Sequence, residues 1–465
     1  MPESAPTAER TAAVRAELAH AIGAAKLLVE EAERLAYASD NSRREGMPDL
    51  VVLAESHDDV AAVATACHRH RVPLTARGRA SNTTGAAIAA EGGVVLSFER
   101  MQRIIEIRPA DRVAIVEPGV LNGDLQTAAA SHGLFWAPDP TSAPYSTIGG
   151  NLACNAGGPR AVKYGATRDH VLALRAIDGR GRAFRCGAAV TKNSTGFDLA
   201  RLLVGSEGTL ALITEATLRL TPLPSARRSM RAEFTSVDAA AEAVARLMGQ
   251  AEIPAALEFM DHAAVELVRA RGVALHAATR ALLLIDADGD AARLDDAVQR
   301  LHAAAASADL LGWDVARDRD DAERVWAARR ALSPALRSLA PDKINEDVVV
   351  PVSRIPELVA RVHAAGVRYH TTIVCFGHAG NGNLHVNLMY DGSDGDAAAR
   401  AAACLDEVFA IVAALGGLPS GEHGIGVAKR AVVGSVLDPV TLELMRAIKA
   451  QFDPAGVLNP GKLLP

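Results

Sequence analysis

The sequence has little cysteine. Its 465 residues include five scattered cysteines, and no two of them form a CxxC pair: Cys67, Cys154, Cys186, Cys375 and Cys404. Disulfide frameworks, zinc ribbons and iron–sulfur clusters need paired or clustered cysteines, so the sequence argues against all three. A chain of this length buries a sizeable core without such cross-links. An odd number of unpaired thiols indicates a reducing compartment, and we expect a cytoplasmic protein, with peripheral attachment to a membrane left open.

Long apolar runs and an excess of positive charge are also missing. No apolar run reaches the ~18 residues of a membrane-spanning helix. Lys and Arg total 49 against 55 Asp and Glu, a net charge of −6, which predicts no nucleic-acid partner because phosphate binding needs a basic surface. The first residues, MPESAPTAER, lack the basic and apolar regions of a signal peptide.

The usual nucleotide-binding fingerprints are absent as well. No GxGxxG follows the first predicted strand, and no GxxxxGK[ST] occurs anywhere. These absences disfavour a Rossmann fold and a P-loop.

The pattern of predicted helices and strands changes along the chain. Residues 8–37 have the spacing of amphipathic helices, and residues 48–221 alternate short Val/Ile/Leu strands, helices and glycine-rich turns. From 222 to 420, helices separate strands, and residues 371–390 have the form of a β-hairpin. This order predicts an α+β fold with a mixed, largely antiparallel sheet in the second half.

Three long glycine-bearing segments lie in the first half, at 75–87, 138–171 and 194–214. Backbone N–H groups in such loops can surround a pyrophosphate, because glycine permits positive φ and close approach. A single loop of this kind is usually only a turn. Three of them within about 140 residues favour a bound dinucleotide.

Histidines form a second pattern. In FGHAGNGNLHVN (376–387), His378 and His385 lie at the two ends of the predicted hairpin, where their imidazoles could meet across the strands. In SGEHGIGVAKR (420–430), the adjacent side chains of Glu422 and His423 would point opposite ways in an extended segment. Two His and one carboxylate suit zinc or another first-row divalent ion. The alternative is that these histidines are polar loop residues that bind nothing.

A third pattern could bind a carboxylate. Arg329 and Ser333 share a helix face at i and i+4, and Lys343 follows shortly afterwards. Arg and Lys are the natural partners of an acid, although most such residues are ordinary surface charges.

Together these residues resemble a known family. The segments TIGGN…NAGG…KYG (147–165), GSEGTLALIT (205–214), HxGxGNxHxN and EHGxG are similar to those of the FAD-linked D-2-hydroxyacid dehydrogenases, within the vanillyl-alcohol-oxidase/p-cresol-methylhydroxylase flavoprotein superfamily. That family includes D-lactate and D-2-hydroxyglutarate dehydrogenases and the FAD subunit of glycolate oxidase. The resemblance runs from about residue 46 to 465.

The resemblance implies a two-lobed architecture. It divides the chain into an N-terminal helical segment (1–45), an FAD-binding domain of the p-cresol-methylhydroxylase (PCMH) type (46–224), a substrate or cap domain (225–420) and a C-terminal segment that packs on the FAD domain (421–465).

The resemblance also implies how FAD is held. Residues around the pyrophosphate would be Arg77, Gly78, Arg79, Ala80, Ser81, Asn82 and Thr83, where three of the family's glycines are replaced. Residues along the flavin and ribityl chain would be Pro138, Thr141, Gly149, Gly150, Asn151, Asn155, Gly158 and Lys163, with Gly208 and Ile213 at the adenosine and Asn459 returning from the C-terminus. No histidine lies between 71 and 131, so the expected FAD is noncovalent.

For the chemistry, the resemblance assigns His423 as the base and His378, His385 and Glu422 as ligands of a divalent metal, with zinc as the expected ion. Histidine has a suitable pKa for proton removal, and a metal would polarise the substrate hydroxyl. Arg329, Ser333 and Lys343 would bind the substrate carboxylate, and Asn387 would hydrogen-bond the substrate.

The expected function is FAD-dependent oxidation of a small D-2-hydroxy acid, D-lactate or D-2-hydroxyglutarate, to the 2-oxo acid, by hydride transfer to flavin N5. Electrons would then leave to a quinone, a cytochrome or an electron-transfer flavoprotein. Two alternatives remain: a flavin subunit of a glycolate-oxidase-like complex, and a non-redox transferase on the same fold. A homodimer is one option for the oligomeric state.

Overall fold

The computed structural model describes residues 7–465, without the side chains of residues 7, 8, 328 and 331. The chain divides into two compact units. The first takes in the described residues up to Gly158, Gly165–Leu223 and Glu422–Pro465. The second takes in Pro159–Tyr164 and Pro224–Gly421. Which part of the chain binds FAD and which binds substrate stays a prediction.

Short strands and helices make up the chain as far as residue 223. The strands are β1 (Leu27–Leu28), β2 (Leu50–Leu53), β3 (Leu74–Arg77), β4 (Val94–Ser97), β5 (Ile104–Arg108), β6 (Val113–Val116), β7 (Leu134–Phe135), β8 (Val171–Asp178), β9 (Ala183–Gly187), β10 (Ala211–Arg219) and β11 (Thr221–Pro222). The helices are α1 (Thr7–Leu18), α2 (Glu31–Leu35), α3 (His57–His70), α4 (Asn122–Ala130), α5 (Ile148–Cys154), α6 (Ala161–Tyr164) and α7 (Leu199–Leu203).

Longer elements follow. The strands are β12 (Ala226–Phe234), β13 (Ala256–Met260), β14 (Ala281–Gly289), β15 (Leu310–Val315), β16 (Asp342–Val349), β17 (Thr372–Gly377) and β18 (Asn383–Tyr390). The helices are α8 (Val237–Met248), α9 (His262–Ala270), α10 (Leu294–Ala305), α11 (Arg319–Ala335), α12 (Ile355–Arg368), α13 (Ala397–Ala414), α14 (Arg430–Val436) and α15 (Pro439–Phe452).

The first unit contains a four-stranded sheet of order β1-β2-β4-β3 and a five-stranded antiparallel sheet of order β5-β6-β10-β8-β9. In the smaller sheet, β2 and β3 both run parallel to β4. Helix α3 connects β2 to β3 and buries one apolar face against this sheet, and Ser56 caps its first turn by accepting a hydrogen bond from Asp59 N–H. The first glycine-bearing loop leaves the end of β3.

The second unit is built on one seven-stranded sheet of order β15-β12-β14-β13-β17-β18-β16, in which every pairing is antiparallel. Apolar side chains of β13, β14 and β17 form one cluster with side chains of α9 and α11. Helices α12 and α13 contact β17 and β18. The predicted α+β class with a largely antiparallel second sheet is therefore confirmed. No helix within residues 7–465 has both the length and the apolar character to cross a bilayer.

Candidate active site

A row of polar side chains occupies one face of the seven-stranded sheet. In an antiparallel pair, directly opposite residues share a face. His385 lies opposite Phe376 on one side and opposite Asp347 on the other, and Asn387 lies opposite Asn345. This face is otherwise the one that the apolar cluster with α9 and α11 covers, so polar groups here need a specific reason.

His378 and His385 meet at the closed end of the β17–β18 hairpin. Their ring centroids are 5.4 Å apart and the rings are nearly perpendicular, at 84°. Both residues are buried, with exposed fractions of 4% and 8%. The turn between them needs Gly382, which adopts φ +74° where a Cβ would collide with the Val350 carbonyl oxygen. The predicted hairpin thus brings these two imidazoles together.

A buried carboxylate lies beside His378. The register of β13 against β17 pairs Phe259 with Gly377, and one further step places Glu258 opposite His378. The His378 Nδ1 nitrogen is hydrogen-bonded to Glu258 Oε1, and Arg329 Nε donates to Glu258 Oε2 at 2.8 Å. Burial by itself would raise the pKa of Glu258, but the His378 and Arg329 charges and hydrogen bonds lower it to about 2. Glu258 is therefore an acceptor at both oxygens.

This arrangement fits a metal ligand. A carboxylate has no proton to donate, so the shared proton lies on His378 Nδ1, and Nε2 carries the ring's lone pair in the neutral form. Metal-binding histidines characteristically donate their other ring N–H to a carboxylate or carbonyl. Within the second unit, His378 and His385 are suitable donors for zinc or another first-row divalent ion.

A second group of possible ligands is better explained as a helix cap. Ligand atoms of Asp261, His363 and Cys375 lie within 4.8 Å of one another. Asp261 Oδ1 accepts from Ala264 N–H at the start of α9, and its Oδ2 accepts from Cys375 N–H and contacts His363 Nε2. Both carboxylate oxygens therefore have partners within the protein, and burial raises the pKa of the Cys375 thiol, so this cysteine is not poised as a thiolate ligand.

The residues predicted to bind a carboxylate also lie on this side of the sheet. Arg329 stands 4.6 Å above the centroid of the Phe376 ring. One helical turn further along α11, the Ser333 hydroxyl accepts a hydrogen bond from Lys343 Nζ at 3.2 Å. The sequence therefore folds so that Ser333 and Lys343 touch, and Arg329 is anchored beside His378.

Two carboxamides complete the row. Asn387 is 1% exposed, and its Nδ2 donates to the Val374 and His385 carbonyl oxygens at 3.2 and 3.3 Å. No donor among the described residues reaches the buried Oδ1 of Asn387 or of Asn345. Facing acceptors without donors are unfavourable in a protein interior, so this pair suits a ligand that brings a hydrogen-bond donor.

Asp347 anchors the end of the second unit. Its buried carboxylate accepts hydrogen bonds from Asn383 Nδ2, from the Ser420 hydroxyl at 3.1 Å and from Gly421 N–H at 3.0 Å. Glu422 and His423 follow Gly421 directly in the chain. Asp347 therefore fixes the backbone from which the predicted ligand and base continue.

In the first unit, His423 is attached to the glycine-bearing loops. Asn82 Nδ2 donates to the His423 carbonyl oxygen at 3.0 Å. The next amides, Ile425 N–H and Gly426 N–H, donate to the buried Glu207 carboxylate at 2.6 and 2.8 Å. Burial raises the pKa of Glu207, although these amides and nearby lysines act in the opposite direction. The structure thus brings 422–426 to the loops at 78–84 and 205–208.

The predicted pyrophosphate loop has the character of an anion cradle. None of the N–H groups of residues 78–83 donates a backbone hydrogen bond to another described residue. A Cβ at Gly78 would collide with the Thr147 hydroxyl, so the loop can pack closely on the start of α5 only with glycine there. Loop amides that make no such hydrogen bond fit a pyrophosphate. Arg77 instead turns its guanidinium to the Ala36 and Ala87 carbonyls.

The other residues predicted to bind FAD are placed as follows. Asn122 Nδ2 donates to the Pro138 carbonyl oxygen at 3.1 Å and to Asn151 Oδ1 at 3.0 Å. Asn459 Nδ2 donates to the Ala86 and Glu207 carbonyl oxygens. Asn155, Gly158 and Gly208 have positive φ, Ile213 lies in β10, Gly149 and Gly150 are in α5, and Thr141 is exposed. Their roles toward FAD stay predictions.

Lys163 belongs to the second unit. Its Nζ donates to Asp288 Oδ1 at 2.6 Å and to the Asp288 carbonyl oxygen at 2.8 Å. The neighbouring Tyr164 hydroxyl donates to the same carboxylate. Lys163 therefore has a strong partner within its own unit, and its role toward FAD stays a prediction.

Sequence reasoning missed several residues of these networks: Glu207, Glu258, Asn345 and Asp347. A signal existed for one of them. Glu258 is the only charged residue in the apolar strand ALEFM, and a lone carboxylate in such a strand has to be paired. The partners could not be read from the sequence, because they lie 71 and 120 residues further along the chain.

Comparison with known proteins gives two family matches. Residues 223–463 match the model described as FAD linked oxidases, C-terminal domain, and residues 48–187 match the model described as FAD binding domain. The two matches cover the first two glycine-bearing segments, 75–87 and 138–171, and the polar row of the sheet, while the third segment, 194–214, lies between them.

Curated relatives align over almost the whole chain. It is 37% identical to the glycolate oxidase subunit GlcD of Bacillus subtilis, over 93% of this chain and 92% of the relative. It is 35% identical to a D-lactate dehydrogenase of Anaerostipes hadrus (90% and 89%) and 31% identical to a D-2-hydroxyglutarate dehydrogenase of Stutzerimonas stutzeri (96% and 98%).

Solved structures share the fold at low identity. A p-cresol methylhydroxylase with bound substrate superposes with a TM-score of 0.80 at 17% identity, covering 99% of this chain and 98% of the other. An alkyldihydroxyacetonephosphate synthase superposes with a TM-score of 0.73 at 20% identity, covering 99% and 87%. The PCMH-type architecture expected from the sequence is thereby confirmed.

Proposed function

Since the chain belongs to the family of FAD-linked oxidases, we propose that it oxidises a D-2-hydroxy acid to the corresponding 2-oxo acid. The observation that carries this proposal is the row of polar side chains on the seven-stranded sheet. It combines two adjacent imidazoles, an anchored arginine and a Ser–Lys pair on an otherwise apolar face. These are the groups that a metal-polarised hydroxyl and a carboxylate require.

We assign the residues the following roles. His423 accepts the hydroxyl proton, and Asn82 and Glu207 hold its backbone segment in place. His378, His385 and Glu422 would hold a divalent ion, with zinc as the expected metal, and that ion would lower the pKa of the substrate hydroxyl. Arg329, Ser333 and Lys343 bind the carboxylate, and Asn387 orients the substrate.

FAD, bound without a covalent link, supplies the hydride acceptor at flavin N5 when it is present. The chain would contribute the amides of residues 78–83 to the pyrophosphate and further contacts from Pro138, Thr141, Gly149, Gly150, Asn151, Asn155, Gly158, Lys163, Gly208, Ile213 and Asn459. The unused N–H groups of the first of these loops support this assignment.

D-Lactate and D-2-hydroxyglutarate are the substrates we favour. Two cationic side chains, Arg329 and Lys343, lie on the same side of the sheet, which favours the dicarboxylate D-2-hydroxyglutarate, and Arg329 by itself would serve D-lactate. Relatives named for both activities support this range. Reoxidation would need a quinone, a cytochrome or an electron-transfer flavoprotein.

A flavin subunit of a glycolate-oxidase-like complex is the alternative that a specific observation favours. Identity is 37% to a relative named as such a subunit. Glycolate is itself a 2-hydroxy acid, so the same residues would serve it. A non-redox transferase is less well supported, because it would have no use for the GEHGIG segment at 421–426.

The test is anaerobic mixing of the FAD-loaded protein with D-lactate, L-lactate, D-2-hydroxyglutarate and glycolate, followed at the flavin absorption band. We expect bleaching with at least one D-acid and slower bleaching with L-lactate. His423→Asn should slow the reduction by on the order of 10²- to 10⁴-fold, because the proton then has no base. The control is His132→Asn, at an exposed residue. Failure of every hydroxy acid to bleach the flavin would refute the proposal.

A further inference from the structure

Glu258 is a charged residue in a strand that has no other. Strand β13 is buried throughout, and Glu258 itself is 0% exposed. A lone ionised carboxylate in such a place is costly unless it is fully paired. Its two oxygens have different partners: His378 Nδ1 at Oε1 and Arg329 Nε at Oε2. These partners are the first predicted metal ligand and the first predicted acid-binding residue.

The contact with His378 fixes how that ring is presented. The imidazole is held from the Nδ1 side by a group that can only accept, so Nε2 would be the nitrogen offered to a metal, and the plane of the ring is set by the hydrogen bond. His378 and His385 keep their nearly perpendicular arrangement within this frame.

The contact with Arg329 fixes the guanidinium. One edge is held by the Glu258 carboxylate, and the plane lies over the Phe376 ring, 4.6 Å from the arginine Cζ to the ring centroid. A planar fork held at Nε and stacked on one face keeps its Nη edge in a single orientation. A pre-oriented fork loses less entropy when it binds a carboxylate.

We propose that Glu258 is a positioning residue that ties the acid-binding arginine to the metal-binding histidine, so that one carboxylate sets both metal affinity and substrate affinity. This inference rests on the proposed function, since it takes Arg329 and His378 in the roles given above.

Glu258→Gln should separate the two contacts. A glutamine side chain has one oxygen and one NH₂ group, and it faces two groups that both donate. Either the amide turns its oxygen to Arg329 and drives the His378 proton to Nε2, or it turns its oxygen to His378 and meets Arg329 with a second donor. In both orientations one of the two partners is misplaced.

The matched control is Asp286→Asn. Asp286 lies in the adjacent strand β14 on the same face of the sheet, opposite Ala256, and is also buried. It too is paired with an arginine, Arg227, and it accepts a hydrogen bond from Trp326 Nε1 of α11 at 3.0 Å. It touches neither His378 nor Arg329, so it reports the effect of removing a buried charge from this sheet.

The experiment measures Zn²⁺ affinity of the FAD-loaded, substrate-free protein by competition with a chromogenic chelator, alongside KM, kcat and a thermal melt. Glu258→Gln should weaken Zn²⁺ binding by on the order of 10- to 100-fold and also raise KM for the hydroxy acid. Arg329→Met, which leaves every proposed ligand in place, should weaken Zn²⁺ binding by a smaller factor. Asp286→Asn should stay within about twofold of the wild type.

The outcomes separate this inference from the proposed function. If the wild type binds Zn²⁺ and Glu258→Gln binds it with the same affinity, the coupling alone is overturned. The coupling is also overturned if Asp286→Asn loses as much Zn²⁺ affinity as Glu258→Gln does. A wild type that binds no divalent ion overturns the metal part of the proposed function and this inference with it. If Glu258→Gln does not fold, the Zn²⁺ affinity of Arg329→Met and the tautomer of His378 test the inference instead. The tautomer is read from ¹⁵N-histidine spectra of the neutral ring, assigned with His378→Gln, and a neutral ring protonated at Nε2 instead of Nδ1 in the metal-free wild type would overturn the inference.

Discussion

At the scale of single residues, two buried carboxylates accept hydrogen bonds from the backbone beside predicted functional residues. Glu207 accepts from the two amides that follow His423 by two and three residues, and Asp347 accepts from the amide just before Glu422. Neither carboxylate is a predicted ligand or base. Each is buried at a cost that its hydrogen bonds offset, and each holds backbone that carries a predicted functional side chain.

Asn345 gives a prediction at this scale. Asn345→Ala should raise KM for the hydroxy acid by roughly 5- to 30-fold with little change in kcat, because it removes an acceptor for the ligand that accepts no hydrogen bond from the described residues. Steady-state kinetics and a thermal melt check this. The contrast is Asn383→Ala, which removes donors to Asp347 and to the Val348 carbonyl oxygen and should lower the melting temperature. An unchanged KM for Asn345→Ala, with a loss of stability as large as in the contrast, would argue that Asn345 is only structural.

At the scale of elements, helices and hairpins with strong local patterns were predictable and other strands were not. The segment HDDVAAVATACHRH has the spacing of a helix, and α3 spans the same residues, His57–His70, because capping and apolar spacing are local. Strands β12 and β15 were not predicted. Strand β12 reads ARRSMRAEF, with three arginines, and its buried positions become apparent only when β14 and β15 pair on its two sides.

The β17–β18 hairpin gives the prediction for this scale. Gly382→Ala should lower the melting temperature and weaken divalent-metal binding together, because the turn cannot keep its positive φ and its approach to Val350 with a Cβ present. We expect a destabilisation of about 1–3 kcal/mol. Differential scanning calorimetry and chelator competition would measure the two effects. Gly395→Ala is the control, since a Cβ there meets nothing within 4 Å. Equal effects of the two substitutions would contradict the role given to the turn.

At the scale of the whole chain, the C-terminal residues complete the first unit. The backbone of Leu458 bridges to Leu74, and Asn459 N–H donates to the Leu74 carbonyl oxygen. Lys462 is 4% exposed, and its Nζ donates to the Ile88 carbonyl oxygen and to Asn459 Oδ1. Residues near 460 therefore stabilise the loops formed by residues near 80. Lys462 and Ile88, which are hydrogen-bonded, lie 374 positions apart in the sequence.

Lys462 gives the prediction for pH. Burial lowers its pKa from 10.5 to about 8, although Asp40, Glu207 and Glu91 act in the opposite direction. Between these values the unfolded chain binds more protons than the folded one, so stability from this group rises with pH and is lost as the pH falls through about 8. The unfolding free energy of the wild type relative to Lys462→Met should therefore increase from about pH 8 to about pH 10, by at most ~1.4 kcal/mol per pH unit. Urea unfolding at three pH values measures it; a difference that falls with rising pH would be incompatible with this assignment.

The sequence by itself determined the class of fold, the glycine-bearing loops and the pairing of His378 with His385. Each of these depends on spacing within a short segment: a tight turn brings its two ends together wherever the segment lies. For the same reason the Glu422–His423 pair and the Arg329–Ser333 spacing are visible in the sequence alone.

Only the tertiary structure decided what surrounds those groups. Glu258 meets His378 because of the register between β13 and β17, and it meets Arg329 because α11 lies on that face of the sheet. Register and helix docking are set by the packing of the complete core, since no local property of the segment ALEFM specifies a partner 120 residues away. Short motifs therefore specify which chemical groups the chain carries, and long-range packing determines how those groups are oriented.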